Sequence, residues 1–259
     1  MKVVHSILTH HPAVDVDAML IAFSALAPAD VEFVVGYGGP RNEFDRITWP
    51  NRIFLEHATF RGRIEEQNFS PWLNAVGRWI QDRQRAPDYV HFSENDHIPL
   101  RRDYWSELAG AMNRSGCDFL GKWCMDRTGT NEEFYLRYRR DPILRTVLEP
   151  LGQVEPRIWG ALADGMVFKQ QALQALSDVD LDIPCFTEIL IPSVLAKLGF
   201  RLGDMDAWSD VFRWVRHRPA FEVADVDALL AGGAFCCHPF KDLGRLPELW
   251  TRLGRLTGC

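Results

Sequence analysis

Through the first half of the chain, apolar runs of strand length alternate with amphipathic segments of helix length, and this alternation restricts the fold more than any other feature. Val3 to Thr9 reads as a buried strand, and Asp17 to Leu26 as a helix with Met19, Leu20, Phe23 and Leu26 on one face. Glu32 to Tyr37 is a second strand, ended by Gly38-Gly39-Pro40, and Arg52 to Leu55 a third. Ser70-Pro71 opens the next helix as a cap residue followed by proline, with Trp72, Val76, Trp79 and Ile80 on one stripe. Tyr89 to Ser93 is a fourth strand. Asp103 is placed to cap, and Gly116 to close, a helix carrying Tyr104, Trp105, Leu108 and Met112, after which Asp118 to Leu120 reads as strand. Such alternation predicts an α/β fold of mainly parallel strands flanked by helices. Ligands of such sheets gather at the carboxyl ends of the strands, here the loops after residues 9, 37, 57 and 93.

The second half is less regular. Residues 126 to 164, rich in Arg, Gly and Pro, predict only short strand-like pieces. Gly165 to Lys169 predicts a strand and Gln170 to Leu176 a helix. Thr187 to Leu198 predicts a helix that Pro192 kinks or delays, and Phe200 to Leu202 a returning strand. No repeat, low-complexity tract or linker divides the chain, so one domain over 1–259 is expected, large enough to fold without a disulfide or structural metal. The six cysteines form no Cys-x-x-Cys pair and sit mostly in apolar runs, as reduced core thiols do. A net charge of −6 argues against general nucleic-acid binding. No charged segment with an apolar stretch and cleavage site precedes the first strand, and no apolar run approaches the roughly 20 residues that span a bilayer, so a cytoplasmic location is expected.

The stretch from Asp88 to Leu100 carries the most chemical information. An apolar strand runs into Glu94-Asn95-Asp96 and then His97-Ile98-Pro99-Leu100 before the next helix. Carboxylates two apart in extended chain point the same way, so Glu94 and Asp96 are expected to converge on one cation. Their hard oxygens suit Mg²⁺ or Mn²⁺ shared with substrate phosphates. The other reading is a polar turn in which Asp96 makes only a local backbone bond.

A hydrophobic strand, an acidic-x-Asp motif, an apolar-Pro segment and a helix together resemble the DxD region of GT-A glycosyltransferases. The resemblance implies a mixed, mainly parallel sheet, with residues 1–125 binding a nucleotide sugar and 126–259 binding the acceptor. It implies that Glu94, Asn95 and Asp96 engage the metal and a UDP- or GDP-sugar, with Glu replacing the usual first acid. The same stretch is similar to a Ser-x-x-Asp-x-x-Pro-Leu segment of metal-independent GT-A enzymes, which leaves metal dependence open.

Five further segments follow the order of that family. Thr9 and His10 of Thr9-His10-His11-Pro12 stand where the base is bound, and Arg61, Arg63 and Gln67 where relatives contact base or diphosphate. Trp159 to Phe168 resembles the acceptor-side strand, and Phe186-Thr187-Glu188 the acidic helix start that supplies the general base of inverting members. Glu188 is therefore the expected base and Asp164 the reserve. In Cys237-His238-Pro239-Phe240-Lys241, His238 matches a late metal ligand and Lys241 a diphosphate contact. The patches Tyr135 to Arg140 and Arg213 to Arg218 are either solvated faces or contacts to diphosphate, an anionic lipid surface or a lipid-linked acceptor.

The resemblance implies hexose transfer to a hydroxyl on a glycan, lipid-linked or small-molecule acceptor, with inversion. A sugar-phosphate nucleotidyltransferase is the second reading. It is disfavoured because Thr9-His10-His11-Pro12-Ala13 stands where a Gly-rich phosphate loop is needed. A nucleotide-binding module without turnover is the third.

Overall fold

Along the first strand, odd-numbered residues face one hydrophobic layer and even-numbered residues the other, as the period of two in a β-strand requires. Val3 and Ile7 pack into one cluster, whereas Val4 packs into the other. The computed structural model describes residues 1–56, 67–152, 157–241 and 243–257. In chain order the elements are β1 (Val3–Thr9), α1 (Ala13–Leu26), β2 (Val31–Tyr37), α2 (Arg41–Phe44), β3 (Arg52–Phe54), α3 (Ser70–Asp82), β4 (Tyr89–Glu94) and β5 (Ile98–Pro99). There follow α4 (Tyr104–Ser115), β6 (Phe119–Gly121), β7 (Met125–Asp126), α5 (Glu133–Arg139), α6 (Pro142–Leu148), β8 (Trp159–Gly160), β9 (Met166–Lys169) and α7 (Gln170–Ser177). The last are α8 (Thr187–Lys197), β10 (Leu202–Asp204), α9 (Val226–Ala231), β11 (Cys236–Cys237) and α10 (Leu246–Thr257).

Among the described residues the main sheet has seven strands in the order β10-β6-β9-β4-β1-β2-β3, which makes β4 the middle strand. Its pairings are parallel except at β9, which runs antiparallel to both β4 and β6. The fold is thus mixed α/β with a mainly parallel sheet. One face is covered by α1, α4 and α10 and the segment from Val211 to Phe221. The other is covered by α3, α6, α7 and α8. Two antiparallel ribbons, β5 with β11 and β7 with β8, stand beside the carboxyl end of the sheet.

Close packing between β2 and α3 depends on Gly36. A Cβ there would lie 2.5 Å from Trp72 Cδ1, and Trp72 is fixed by donating Nε1–H to Ser6 Oγ at 2.8 Å. Gly36→Ala is expected to destabilise the protein by about 1–3 kcal/mol, the usual range for overpacking, as read from urea unfolding.

Several local expectations need correction. Residues 126 to 164 contain two helices, α5 and α6. The second begins at a capping Asp141 whose Oδ1 accepts Ile143 N–H at 2.8 Å, with Pro142 at the first helical position. Ser70 does not cap α3: it lies inside the helix and donates Oγ–H to Leu181 O, while Asn68 Oδ1 takes its N–H. Asp103 precedes α4 but makes no cap bond, because Arg101 occupies its carboxylate. Gly116 does close α4, in the left-handed conformation at φ +61°.

Helix α8 runs unbroken through Pro192. Proline has no N–H, so the carbonyl of Glu188 is left without its helical partner, and it accepts Ala161 N–H at 2.9 Å instead. Ser193 Oγ accepts Trp159 N–H at 3.0 Å. The proline is thus tolerated where it staples the 159–163 segment onto the helix. The described cysteines are unpaired, all but Cys117 buried. No helix among the described residues is long and apolar enough to cross a membrane.

Candidate active site

The middle strand β4 ends at Glu94, and a turn closed by His97 N–H on Glu94 O carries Asn95 and Asp96 over the carboxyl end of the sheet. Glu94 and Asp96 therefore approach each other through a turn, not through the pleat of an extended strand. The ribbon of β11 on β5 brings in the segment after Cys237, with Phe240 N–H bonded to Asp96 O at 2.9 Å. This pairing delivers His238 and Lys241 to the turn.

One ligand atom each from Glu94, Asp96 and His238 lies within 4.8 Å of the others. His238 Nδ1 faces Arg216 O at 3.1 Å, and Nε2 lies 3.3 Å from Asp96 Oδ1. A ring that donates Nδ1–H to a carbonyl keeps Nε2 available as a metal ligand. Asp96 Oδ2 is taken by Lys241 Nζ, while the buried Oδ1 is ion-paired with the His238 ring and meets no closer donor among the described residues. Two carboxylates and one imidazole form a donor set that fits a hard divalent cation once the proton on His238 is given up.

The electrostatics are those of crowded acids. Burial, with Asp96 and Asp164 nearby, pushes Glu94 up to about 7. Burial also acts to raise Asp96, but His238 and Lys241 outweigh it and hold the carboxyl below the usual range. For His238 burial opposes protonation, yet Asp164 and Asp96 raise it to about 9. The cluster concentrates negative charge that a proton on His238 and the ammonium of Lys241 now balance.

Asp164 does not have the open oxygen that a general base needs. It is 2% exposed, accepts Glu94 N–H at 2.9 Å on Oδ1, and faces His97 Nδ1 at 2.5 Å through Oδ2. Although burial works the other way, His238 and His97 hold it well below the usual carboxylate range. Its carboxylate ties the backbone of Glu94 to the ring of His97.

Behind Asp164 runs a buried polar chain that sequence reading did not anticipate. His97 Nε2 and His91 Nε2 each lie 2.8 Å from the Tyr104 hydroxyl, and His91 Nδ1 lies 3.3 Å from Met166 O. His5 Nε2 bonds Ser93 Oγ at 2.8 Å, and Trp105 Nε1 donates to His5 Nδ1. Burial, with His97 nearby, lowers His91 to about 3, which keeps that ring neutral. The period-two placement of His5, His91 and Ser93 on one sheet face is the signal that was available.

A cleft of about 480 Å³ opens beside this cluster, lined by Thr9, His10, Gly39, Gln67, Glu94 and Asn95 among others. It lies over the carboxyl ends of β1, β2 and β4, the position where open α/β sheets bind ligands. Thr9 Oγ1 accepts His11 N–H, and His10 stacks on His11. Gln67 lines the cleft while its carbonyl accepts both N–H and Oγ–H of Thr187, fixing the start of α8. Arg61 and Arg63 lie outside the described residues.

Glu188 stands on the other side of the 160–164 segment. Its Oε1 accepts Ala163 N–H at 3.0 Å, while the next residue, Asp164, holds Glu94 N–H. Burial, with Asp164 adding to it, raises Glu188 to about 7. It lines a second cavity, of about 340 Å³. The two basic-aromatic patches are largely engaged locally: Arg137 stacks on Phe134 and Tyr138, and Arg216 lies 3.7 Å above the Phe221 ring.

No protein-family model matches the sequence, and no curated protein does. Solved structures do match. A mannosyltransferase from Pyrobaculum calidifontis in complex with GDP-Man and Mn²⁺ is 17% identical with a TM-score of 0.41. The alignment covers 78% of this chain and 53% of that one, so this chain spans about half its length. A galactosyltransferase bound to donor and acceptor sugar analogues is 10% identical with a TM-score of 0.44, over 97% of this chain and 96% of that one. A CMP:2-keto-3-deoxy-manno-octonic acid synthetase bound to CTP is 14% identical with a TM-score of 0.40, over 79% and 90%. Likeness at this distance transfers no activity to this chain.

Proposed function

We propose that this chain is a glycosyltransferase that moves a hexose from a nucleoside-diphosphate sugar, with UDP or GDP as nucleotide, to a hydroxyl acceptor, with inversion. The observation that carries this reading is a division of labour across one loop. On one side, Glu94, Asp96 and His238 converge at the mouth of the sheet cleft. On the other, a carboxyl group raised to about 7 lines a separate cavity.

Glu94, Asp96 and His238 are the residues that would hold Mn²⁺ or Mg²⁺, and such an ion supplies charge neutralisation to a departing diphosphate. Thr9, His10, Gln67 and Asn95 line the cleft for the nucleotide, and Lys241, exposed at its mouth, meets the diphosphate. Arg61 and Arg63 are assigned to the same ligand on their sequence position alone. Glu188 takes the proton of the acceptor hydroxyl as that oxygen bonds to the anomeric carbon, and the diphosphate leaves with the electrons of the broken C–O bond. Asp164 acts through its neighbours, fixing Glu94 by its backbone and His97 by its ring.

The direct test incubates the protein with a panel of nucleotide sugars and Mn²⁺ and identifies the released nucleotide. Release of nucleoside diphosphate from a nucleotide sugar is expected. Release of pyrophosphate from a nucleoside triphosphate and a sugar phosphate identifies a nucleotidyltransferase instead and overturns the proposal. Saturable nucleotide binding without turnover against any acceptor leaves only a binding module.

A further inference from the structure

The 340 Å³ cavity beside Glu188 has a wall built with care. Trp123, Arg127, Tyr135, Phe186, Glu188 and His217 contribute to it. Trp123 sits at φ +57°, in the left-handed region that a bulky residue rarely adopts. Its N–H is held by Asp204 Oδ1 at 2.8 Å, and the preceding carbonyl, of Lys122, by Leu162 N–H. The outcome of this strained turn is a tryptophan 42% exposed at the cavity. Backbone strain of this kind concentrates where ligands are held. On the adjoining wall, Gly160 allows Tyr135 to approach closely: a Cβ there would lie 2.8 Å from the ring.

Arg127 supplies the polar element. Its guanidinium lies 4.7 Å from the Tyr135 ring centroid and pairs with Glu132 at 3.2 Å, and its buried Nε–H has no acceptor among the described residues. Aromatic faces beside a few fixed polar groups match a pyranose ring, which has a face of C–H groups and an edge of hydroxyls. A lipid chain offers the Glu188 carboxyl no hydroxyl, and an open-chain polyol has no face to stack.

On the strength of the transferase reading above, we propose that this cavity is the acceptor subsite and takes one or two pyranose rings of a glycoside. The ring face stacks on Trp123, one hydroxyl meets the Glu188 carboxyl, and the Arg127 side chain borders the polar edge of the ring. The acceptor class is thereby a sugar.

Saturation-transfer NMR on the full chain tests this without requiring turnover. The probes are methyl glucoside, galactoside, mannoside and glucuronide, with glycerol and 3-phosphoglycerate as non-sugar controls. At least one glycoside is expected to bind, with ring protons receiving the strongest transfer. Trp123→Gly removes the ring and suits the left-handed backbone, so it folds; it is expected to weaken that glycoside about tenfold or more. Trp123→Phe should recover most of the affinity. Binding of nucleoside diphosphate with Mn²⁺, followed in the same samples, should be unaltered. Glycosides that fail to bind, or that bind Trp123→Gly as well as wild type, overturn the subsite. Glycosides that bind while no nucleotide binds overturn the transferase reading and leave the sugar site standing.

Discussion

Asp96→Ala should abolish the thermal stabilisation that nucleoside diphosphate gives in the presence of Mn²⁺. Asp96 has one carboxylate oxygen on Lys241 and the other buried and 3.3 Å from His238 Nε2. It is therefore the hinge of the cation cluster. At a hundredfold excess over Kd, a ligand that binds only the native state adds about 2.7 kcal/mol, which is roughly 5–10 °C in Tm for a chain of this size. That shift is expected for wild type with Mn²⁺ and nucleotide together, and it should vanish in Asp96→Ala. Asp96→Asn keeps the volume and should lose the shift as well, because the charge and not the shape holds a cation. Transfer activity should fall about a thousandfold in both, consistent with several kcal/mol of charge stabilisation. A full shift in Asp96→Asn would remove the metal role assigned to this residue. His238→Ala extends the test: if His238 is the third ligand, nucleotide binding in Mn²⁺ should weaken while the metal-free protein keeps its fold.

Up to β6 the longer strands and helices were readable because they carry a strong period, whereas α2 and β5, of four and two residues, are too short to show one. The two faces of β1 and the stripe of α3 are set by alternation and by helical spacing, and nothing tertiary opposes them. The direction of β9 was not readable. Its four residues, Met166 to Lys169, carry no mark of orientation, and the antiparallel pairing comes from insertion between β4 and β6. The helices α5 and α6 were missed although Asp141-Pro142 is a sound start signal, since the surrounding arginines and glycines masked their short apolar faces. In the site, the acids of residues 94 to 96 announced themselves by position after a strand. Lys241, 145 residues beyond Asp96, could be joined to them only by resemblance, because the β5–β11 ribbon that brings them together is two residues wide. Of the chain from Asp164 through His97 and Tyr104 to His91, only the strand placement of His91 was within reach, since a loop, a turn, a helix and a strand are joined by side chains alone.

Glu188→Gln should reduce transfer by about 10²- to 10⁴-fold, the usual contribution of a positioned base, while leaving nucleotide-dependent stabilisation intact. Glutamine keeps an oxygen for Ala163 N–H, so the 160–164 segment stays in place and the defect is chemical. The wild-type rate should climb as pH rises through about 7, because only the ionised carboxylate accepts the proton and burial has raised Glu188 to that value. Stability should move the opposite way. A carboxyl whose folded pKa lies above its free value near 4.5 favours the protonated native state, so its contribution is present below pH 4.5 and is lost as pH rises through 7. The gap from 4.5 to about 7 corresponds to at most about 3 kcal/mol, and Glu188→Gln, which cannot ionise, should regain part of it at pH 8 but none at pH 4. Urea denaturation of both proteins at the two pH values measures the difference. The same variant is thus expected to be slower and, in alkaline buffer, more stable. A variant that is slower and less stable at pH 8 would instead mark Glu188 as a structural support for the 160–164 segment.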